Sequence, residues 1–328
     1  MTESKAERNT AVVINGVQIP PGKRQRVSIP VARLPTETWM SLAVEVINGK
    51  LPGPRIWLNA AVHGDELNGI EIIHKVLETV DPTQLRGAIL AVPIVNVFGF
   101  INQERYLPDR RDLNRCFPGS AAGSLASRMA YLFMNEIVKP CSHGIDLHTG
   151  SNHRTNLPQI RTDLSDDATR RWAEAFGAPV MLNARSRSGS LRQAAAKIGK
   201  TVLLYEAGEP LRFDPFSVQC GVDGVNRAMA FLGMLPDHAN REAPPVSALV
   251  EHSTWVRARR SGILRMEVGL GDQVTEKQPL AEINDVFGSR CGTMRAPFSG
   301  VVIGHTNNPL VHQGDAVLHI ARAEQQSG

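Results

Sequence analysis

Two histidines and two glutamates in this chain of 328 residues stand where side chains can gather around a metal ion. His63-Gly64-Asp65-Glu66 puts an imidazole and a carboxylate three residues apart. The run Ile56 to Ala61 before it reads as a strand, and from Glu66 to Val80 the hydrophobic period turns helical. A bend between strand and helix brings two side chains at this spacing to the same side. A catalytic zinc takes three protein ligands and keeps one position for water, and two imidazoles with one carboxylate are a standard set. The third ligand must come from elsewhere, and His148 qualifies. It ends the apolar strand Gly144 to Leu147, and Asp146 stands close enough in sequence to support it. Glu206 also follows a strand, Thr201 to Tyr205; Glu209 competes with it, but Glu206 comes directly off the strand end, where functional residues gather.

Four arginines fall in one stretch: Arg105, Arg110, Arg111 and Arg115. A guanidinium fork suits bidentate capture of carboxylates, so a small anionic substrate is expected. Arg154, Asn156 and Arg161 follow His148 in what reads as a polar loop and suit a role in specificity. Arg192 reads as an exposed helix residue. Among the other histidines, His74 lies within a helix, His143 opens the strand leading to His148, and His153 is near enough to touch substrate. His305, His312 and His319 are dispersed toward the C-terminus.

The elements that must position these groups alternate. Strands are expected through Val12 to Val31, broken at Asn15-Gly16 and Pro20-Pro21-Gly22, and at Met40 to Asn48 and Ala88 to Val95. Helices are expected at Ser124 to Lys139, Asp166 to Phe176, Leu191 to Ile198 and Val218 to Leu232. Alternation of this kind predicts an α/β fold, a mixed sheet with helices on both faces. The polar residues 1–8 are expected to fray. A boundary falls near Ala243-Pro244-Pro245, which divides the chain into 1–243 and 246–323. The second part carries a weak repeat: Ser261-Gly262-Ile263-Leu264, Gly271-Asp272-Gln273-Val274 and Leu280-Ala281-Glu282-Ile283 answer to Ser299-Gly300-Val301-Val302, Gly314-Asp315-Ala316-Val317 and Leu318-His319-Ile320. It reads as a small all-β barrel-like domain. Its pattern is similar to biotinyl and lipoyl carrier domains, but Asn284-Asp285-Val286-Phe287-Gly288 offers no lysine for a cofactor.

Composition narrows the partners. Hydrophobic residues at 42% and charged residues at 21% fit a soluble globular protein. Aromatics at 5% and a net charge of +4 give little to bind nucleic acid. No apolar run approaches the roughly 20 residues a bilayer requires, so no membrane partner is expected. Four scattered cysteines with no apolar leader read as reduced thiols in the cytoplasm. A homo-oligomer is left open.

Four segments in order resemble the succinylglutamate desuccinylase/aspartoacylase family, which belongs with the zinc carboxypeptidases. They are Asn59-Ala60-Ala61-Val62-His63-Gly64-Asp65-Glu66, Arg111-Asp112-Leu113-Asn114-Arg115, Asp146-Leu147-His148-Thr149 and Leu204-Tyr205-Glu206-Ala207-Gly208. The likeness covers about Leu51 to Leu235, and the C-terminal β-region also looks like the family's. It implies a zinc carboxypeptidase-like sheet and one Zn2+ per chain on His63, Glu66 and His148. It further implies Glu206 as the general base, Arg105 as the oxyanion partner, and Asn114 with Arg115 on the substrate's α-carboxylate. The reaction implied is hydrolysis of a small N-acyl amino acid. The only tyrosines are Tyr106, Tyr131 and Tyr205, and the arginine that aspartoacylase uses before its base has no counterpart ahead of Glu206. Both departures point away from acetylaspartate. The alternatives are a zinc carboxypeptidase acting on short peptides and a binding protein with a vestigial site.

Overall fold

The computed structural model describes residues 9–236 and 244–323. The stretch expected to fray, 1–8, and Ala243 at the expected boundary lie outside the described residues. In chain order come β1 (Val12–Ile14), β2 (Val17–Ile19), β3 (Lys23–Arg33), β4 (Trp39–Asn48), β5 (Leu51–Ala60), α1 (Asn68–Thr79), β6 (Arg86–Val92), α2 (Val97–Asn102) and α3 (Leu125–Phe133). Then follow β7 (His143–His148), β8 (Arg154–Thr162), α4 (Asp167–Phe176), β9 (Val180–Asn183), α5 (Leu191–Ala196), β10 (Thr201–Gly208) and α6 (Pro215–Phe231). The C-terminal part holds β11 (Ala248–Arg257), β12 (Gly262–Met266), β13 (Gln273–Val274), β14 (Pro279–Asn284), β15 (Arg290–Arg295), β16 (Gly300–Thr306), β17 (Leu310–Val311) and β18 (Ala316–Ala323).

Twelve of these strands form one mixed sheet in the order β13-β16-β18-β11-β9-β8-β10-β7-β5-β6-β4-β3. Its centre is buried on both faces, and the period of two is visible in β6. Ala88, Leu90 and Val92 join one core with residues of α3 and α5, whereas Ile89 and Ala91 join the other with residues of α1, α4 and α6. The helix starts are written in the sequence: Ser124, Asp166, Ser190 and Asp214 each accept a backbone N–H of the first turn from their side chains.

The sheet continues past Pro244-Pro245. β11 runs parallel to β9, and β16 pairs antiparallel with β8. Strands β8, β9, β11, β18 and β16 thus close into a ring around Val180, Leu182, Val250, Ile303 and Ala321. A separate four-stranded sheet, β15-β14-β12-β17, packs over its own core, which includes Leu264, Leu280, Ile283 and Val302. The first repeat unit is therefore divided, with β12 and β14 in the smaller sheet and β13 in the larger, whereas β16 and β18 of the second both lie in the larger. Two local expectations change. The polar loop after His148 is strand β8, and the helix expected over 124–139 becomes a π turn at Met134–Val138.

Candidate metal centre and its pocket

β5 ends at Ala60, and Ala61 takes φ 49, a left-handed conformation uncommon for a residue with a Cβ. The chain swings across the strand end and carries His63 and Glu66 to β7. Gly64 permits the turn, because a Cβ there would meet the backbone carbon of Gly99 in α2 at 1.9 Å. His148, the last residue of β7, completes the group. His63 Nδ1 lies 2.7 Å from Glu66 Oε1, and His148 Nδ1 lies 2.7 Å from Glu66 Oε2. One donor atom from each of the three falls within 4.8 Å of the others, and all three residues are buried.

Both imidazoles are held from behind. His63 Nε2 is 3.3 Å from Asp112 Oδ1, and His148 Nε2 is 3.0 Å from Asp146 Oδ2, an ion-pair contact without hydrogen-bond alignment. Asp146 Oδ1 accepts from Asn59 Nδ2 at 2.6 Å, and Asn59 Oδ1 accepts from Trp57 Nε1 at 2.9 Å. Asn59 is the register partner of Asp146, so the period of two lays Trp57, Asn59, Asp146 and His148 along one sheet face. Carboxylates on the far nitrogens leave the Nδ1 atoms to face the common point, which is how metal-bound histidines are usually oriented.

The electrostatics favour a cation there. Burial alone would lower the pKa of His63, but Glu66 and Asp112 reverse this and hold it above its ordinary value. Burial is likewise outweighed for His148, which Asp146 and Glu66 raise well above it. For Glu66, burial is overcome by the two imidazoles, which keep the carboxyl well below its usual range. Surroundings that stabilise two imidazolium charges also stabilise a metal ion, and two nitrogens with one carboxylate are a suitable donor set.

Arg105 crosses the same point. It donates to Asp112 Oδ2 at 3.0 Å and to Glu66 Oε1 at 3.4 Å. Those carboxylates outweigh its burial and raise its pKa. Glu206 is the lateral neighbour of His148 in parallel β10, on the same face. Its Oε2 accepts from Asn156 Nδ2 at 2.9 Å and lies 3.3 Å from an Arg161 nitrogen. Asn114 Oδ1 accepts from the Leu191 N–H at the start of α5, at 2.9 Å. Arg115 is exposed and bonds the carbonyl of Asn114.

His63, Glu66, His148, Glu206, Arg105, Asn114 and Arg115 all line one cavity of about 720 Å³. Glu209 does not line it and pairs with Arg212 instead, and His153 is also outside it. Ser253, Trp255 and Arg257 of β11 and His319 of β18 complete the lining on the far wall, and the sequence reading gave none of the four a role in the site. Arg192 is half-buried in that wall, donating to the carbonyls of Arg161 and Arg185 at 2.6 and 3.0 Å. Asp112, named within a motif but given no role, bridges His63 and Arg105. Nothing local in the sequence marks Trp255 or His319, because only the pairing of distant strands brings them here.

A family model described as the succinylglutamate desuccinylase/aspartoacylase catalytic domain matches residues 52–232, and the chain belongs to that family. An N-alpha-acetyl-L-2,4-diaminobutyric acid deacetylase of Halomonas elongata is 27% identical over 288 residues, 84% of each chain. Among solved structures, a succinylglutamate desuccinylase/aspartoacylase from Rhodobacter sphaeroides is similar, with TM-score 0.80 and 24% identity over 92% of this chain and 96% of that one. The product-bound ectoine utilization protein EutE of Ruegeria pomeroyi has TM-score 0.82 and 22% identity, over 93% and 98%. These structures share the mixed α/β fold with its large sheet.

Proposed function

We propose that this protein is a zinc-dependent hydrolase that cleaves the amide bond of a small N-acyl amino acid. One arrangement carries the reading: two imidazoles and a carboxylate meet at a buried point, backed by Asp112 and Asp146, beside a cavity that also holds Glu206 and Arg105. Family membership and the name of the Halomonas elongata relative support the same chemistry. We also read the sheet as zinc carboxypeptidase-like, residues 1–243 as the catalytic part and 246–323 as an appended β-part. Four unpaired cysteines fit a reducing, cytoplasmic setting.

Held by His63, Glu66 and His148, zinc would supply a water of lowered pKa and polarise the acyl carbonyl. Glu206 takes the proton of the attacking water and passes it to the departing nitrogen. Asn156 and Arg161 keep its carboxylate in place for both steps. Arg105, charged and aimed by Asp112, donates to the carbonyl oxygen as it gains charge. Arg115 and the free amide nitrogen of Asn114 grip the α-carboxylate and so orient the acyl nitrogen.

The test is elemental analysis for zinc together with amine release from a panel of N-acyl amino acids and dipeptides. Roughly one zinc per chain and release from an N-acyl amino acid are expected. Failure to take up zinc would overturn the reading, and turnover confined to the dipeptides would replace it with a peptidase.

A further inference from the structure

β11 changes neighbours along its length. Among the described residues, Ala248 to Val250 pair with β9, whereas Thr254 to Arg257 keep only β18. β15, at the edge of the smaller sheet, pairs with β14 alone. These two open edges border a second cavity, of about 800 Å³. Residues 254–258 line it without a break on one side, and residues 291–297 on the other. Side chains of a strand alternate between its faces, so unbroken runs mean that the strand edges themselves bound the space. Trp255 and Arg257 also line the cavity beside the metal group, which makes β11 a wall between the two.

The chemistry of this second cavity is two-sided. Its floor is the C-terminal core itself: Ala258, Ile283, Met294 and Ala296 belong to that core and are each 5% exposed or less. Its rim is cationic. Arg257, Arg259, Arg260, Lys277 and Arg295 meet a single carboxylate, Glu276, which lies 3.5 Å from Lys277 Nζ. Among the described residues, no carboxylate forms an ion pair with any of these arginines. Arg257 donates to the carbonyl of Gly314 at 2.8 Å, and Arg295 to that of Lys277 at 3.0 Å. Those bonds aim the two guanidinium groups and leave their charge uncompensated. A volume of this size suits a small molecule. An apolar body would cover the exposed side of the core, and an anionic head would meet the arginines. A bare inorganic anion or a neutral hydrocarbon would use only half of the lining.

We propose that this cavity is a binding site for a small amphipathic anion, its apolar body against Ile283 and Met294 and its carboxylate or phosphate head on Arg259, Arg260 and Arg295. The site is separate from the candidate metal group and does not depend on the proposed hydrolysis.

The experiment is calorimetric titration of the full chain, zinc-loaded, with acetate, hexanoate, decanoate, decyl phosphate and decyltrimethylammonium. Location is read from iodoacetamide alkylation of Cys291, which lines the cavity, followed by peptide mass spectrometry. A ten-carbon anion is expected to bind and to slow alkylation of Cys291 but not of Cys220. Decanoate should exceed hexanoate by about tenfold or more, since each fully buried methylene contributes about fourfold. Decanoate binding more tightly than decyl phosphate assigns a carboxylate head, and the reverse order assigns a phosphate. The ammonium compound should bind about tenfold more weakly than either. Arg259 and Arg260 are exposed in the turn between β11 and β12. Replacing both, Arg259→Ser with Arg260→Ser, should therefore weaken the ten-carbon anions several-fold without touching the core, as should added salt. No binding of either ten-carbon anion, equal binding of hexanoate and decanoate, or equal binding of the ammonium compound would overturn the site. So would full affinity in the double variant, or binding that leaves Cys291 unprotected, which would place the ligand in the metal cavity instead.

Discussion

Glu206 and His148 sit side by side on parallel strands at matching register, about 4.8 Å apart in backbone terms. Their proposed roles separate cleanly in experiment. Glu206→Gln is expected to cut amine release by roughly 10²–10⁴-fold while zinc content stays unchanged; loss of zinc as well would make Glu206 a ligand rather than a base. The Trp57–Asn59–Asp146 chain behind His148 gives the opposite signature. Asn59→Ala should leave the fold in place and weaken zinc about tenfold or more, read by competition with a chelator, because partners of metal ligands contribute that much. An unchanged zinc affinity would show that His148 needs no such support. His319 offers a pH signature. Burial, and after it Arg161, pushes its imidazole down to about 3, whereas an unfolded chain holds it near 6.5. Its contribution to stability is therefore complete above about pH 6.5 and is lost as pH falls from there toward 3. Urea midpoints at about pH 7.5 and about pH 5 should converge in His319→Gln relative to the parent protein.

Scaled up to elements, the site depends on a turn and on a strand that hides itself. Gly64 touches the Gly99 backbone so closely that Gly64→Ala must push β5's exit away from α2. A loss of about 2 kcal/mol or more in urea unfolding, together with weaker zinc binding, is expected; a fully stable variant with normal zinc would mean that the turn yields. The turn was legible in the sequence, since the strand run Ile56 to Ala61 gives way to a helical period at this point. β8 was not. Arg154, Asn156 and Arg161 of this strand line the cavity, so their polarity hides it. With partners on both sides at β10, β9 and β16, tertiary pairing overrides what propensity suggests.

For the molecule as a whole, the ring of β8, β9, β11, β18 and β16 ties together residues on either side of 243/246. A chain cut after residue 243 would expose the edges of β8 and β9 and the apolar residues Val180 and Leu182. It is expected to aggregate, or to lose cooperative unfolding by circular dichroism. A soluble, cooperatively folding truncation would show that the first part is self-sufficient.

The sequence by itself determined the candidate metal group of His63, Glu66 and His148 and the alternating α/β order. His63 and Glu66 are linked by a local bend, His148 ends β7, and Glu206 lies within β10 just past its apolar run. Hydrophobic period and motif spacing are properties of neighbouring residues, so they can be read without a fold. The charge and shape of the far wall were decided only in three dimensions. Trp255 and His319 reach the cavity because β11 and β18 join the ring that β8 and β9 begin. Arg192 turns inward because the carbonyls of Arg161 and Arg185 accept its nitrogens. Those contacts span long stretches of chain, and their energy comes from burial and hydrogen bonding that no local pattern encodes.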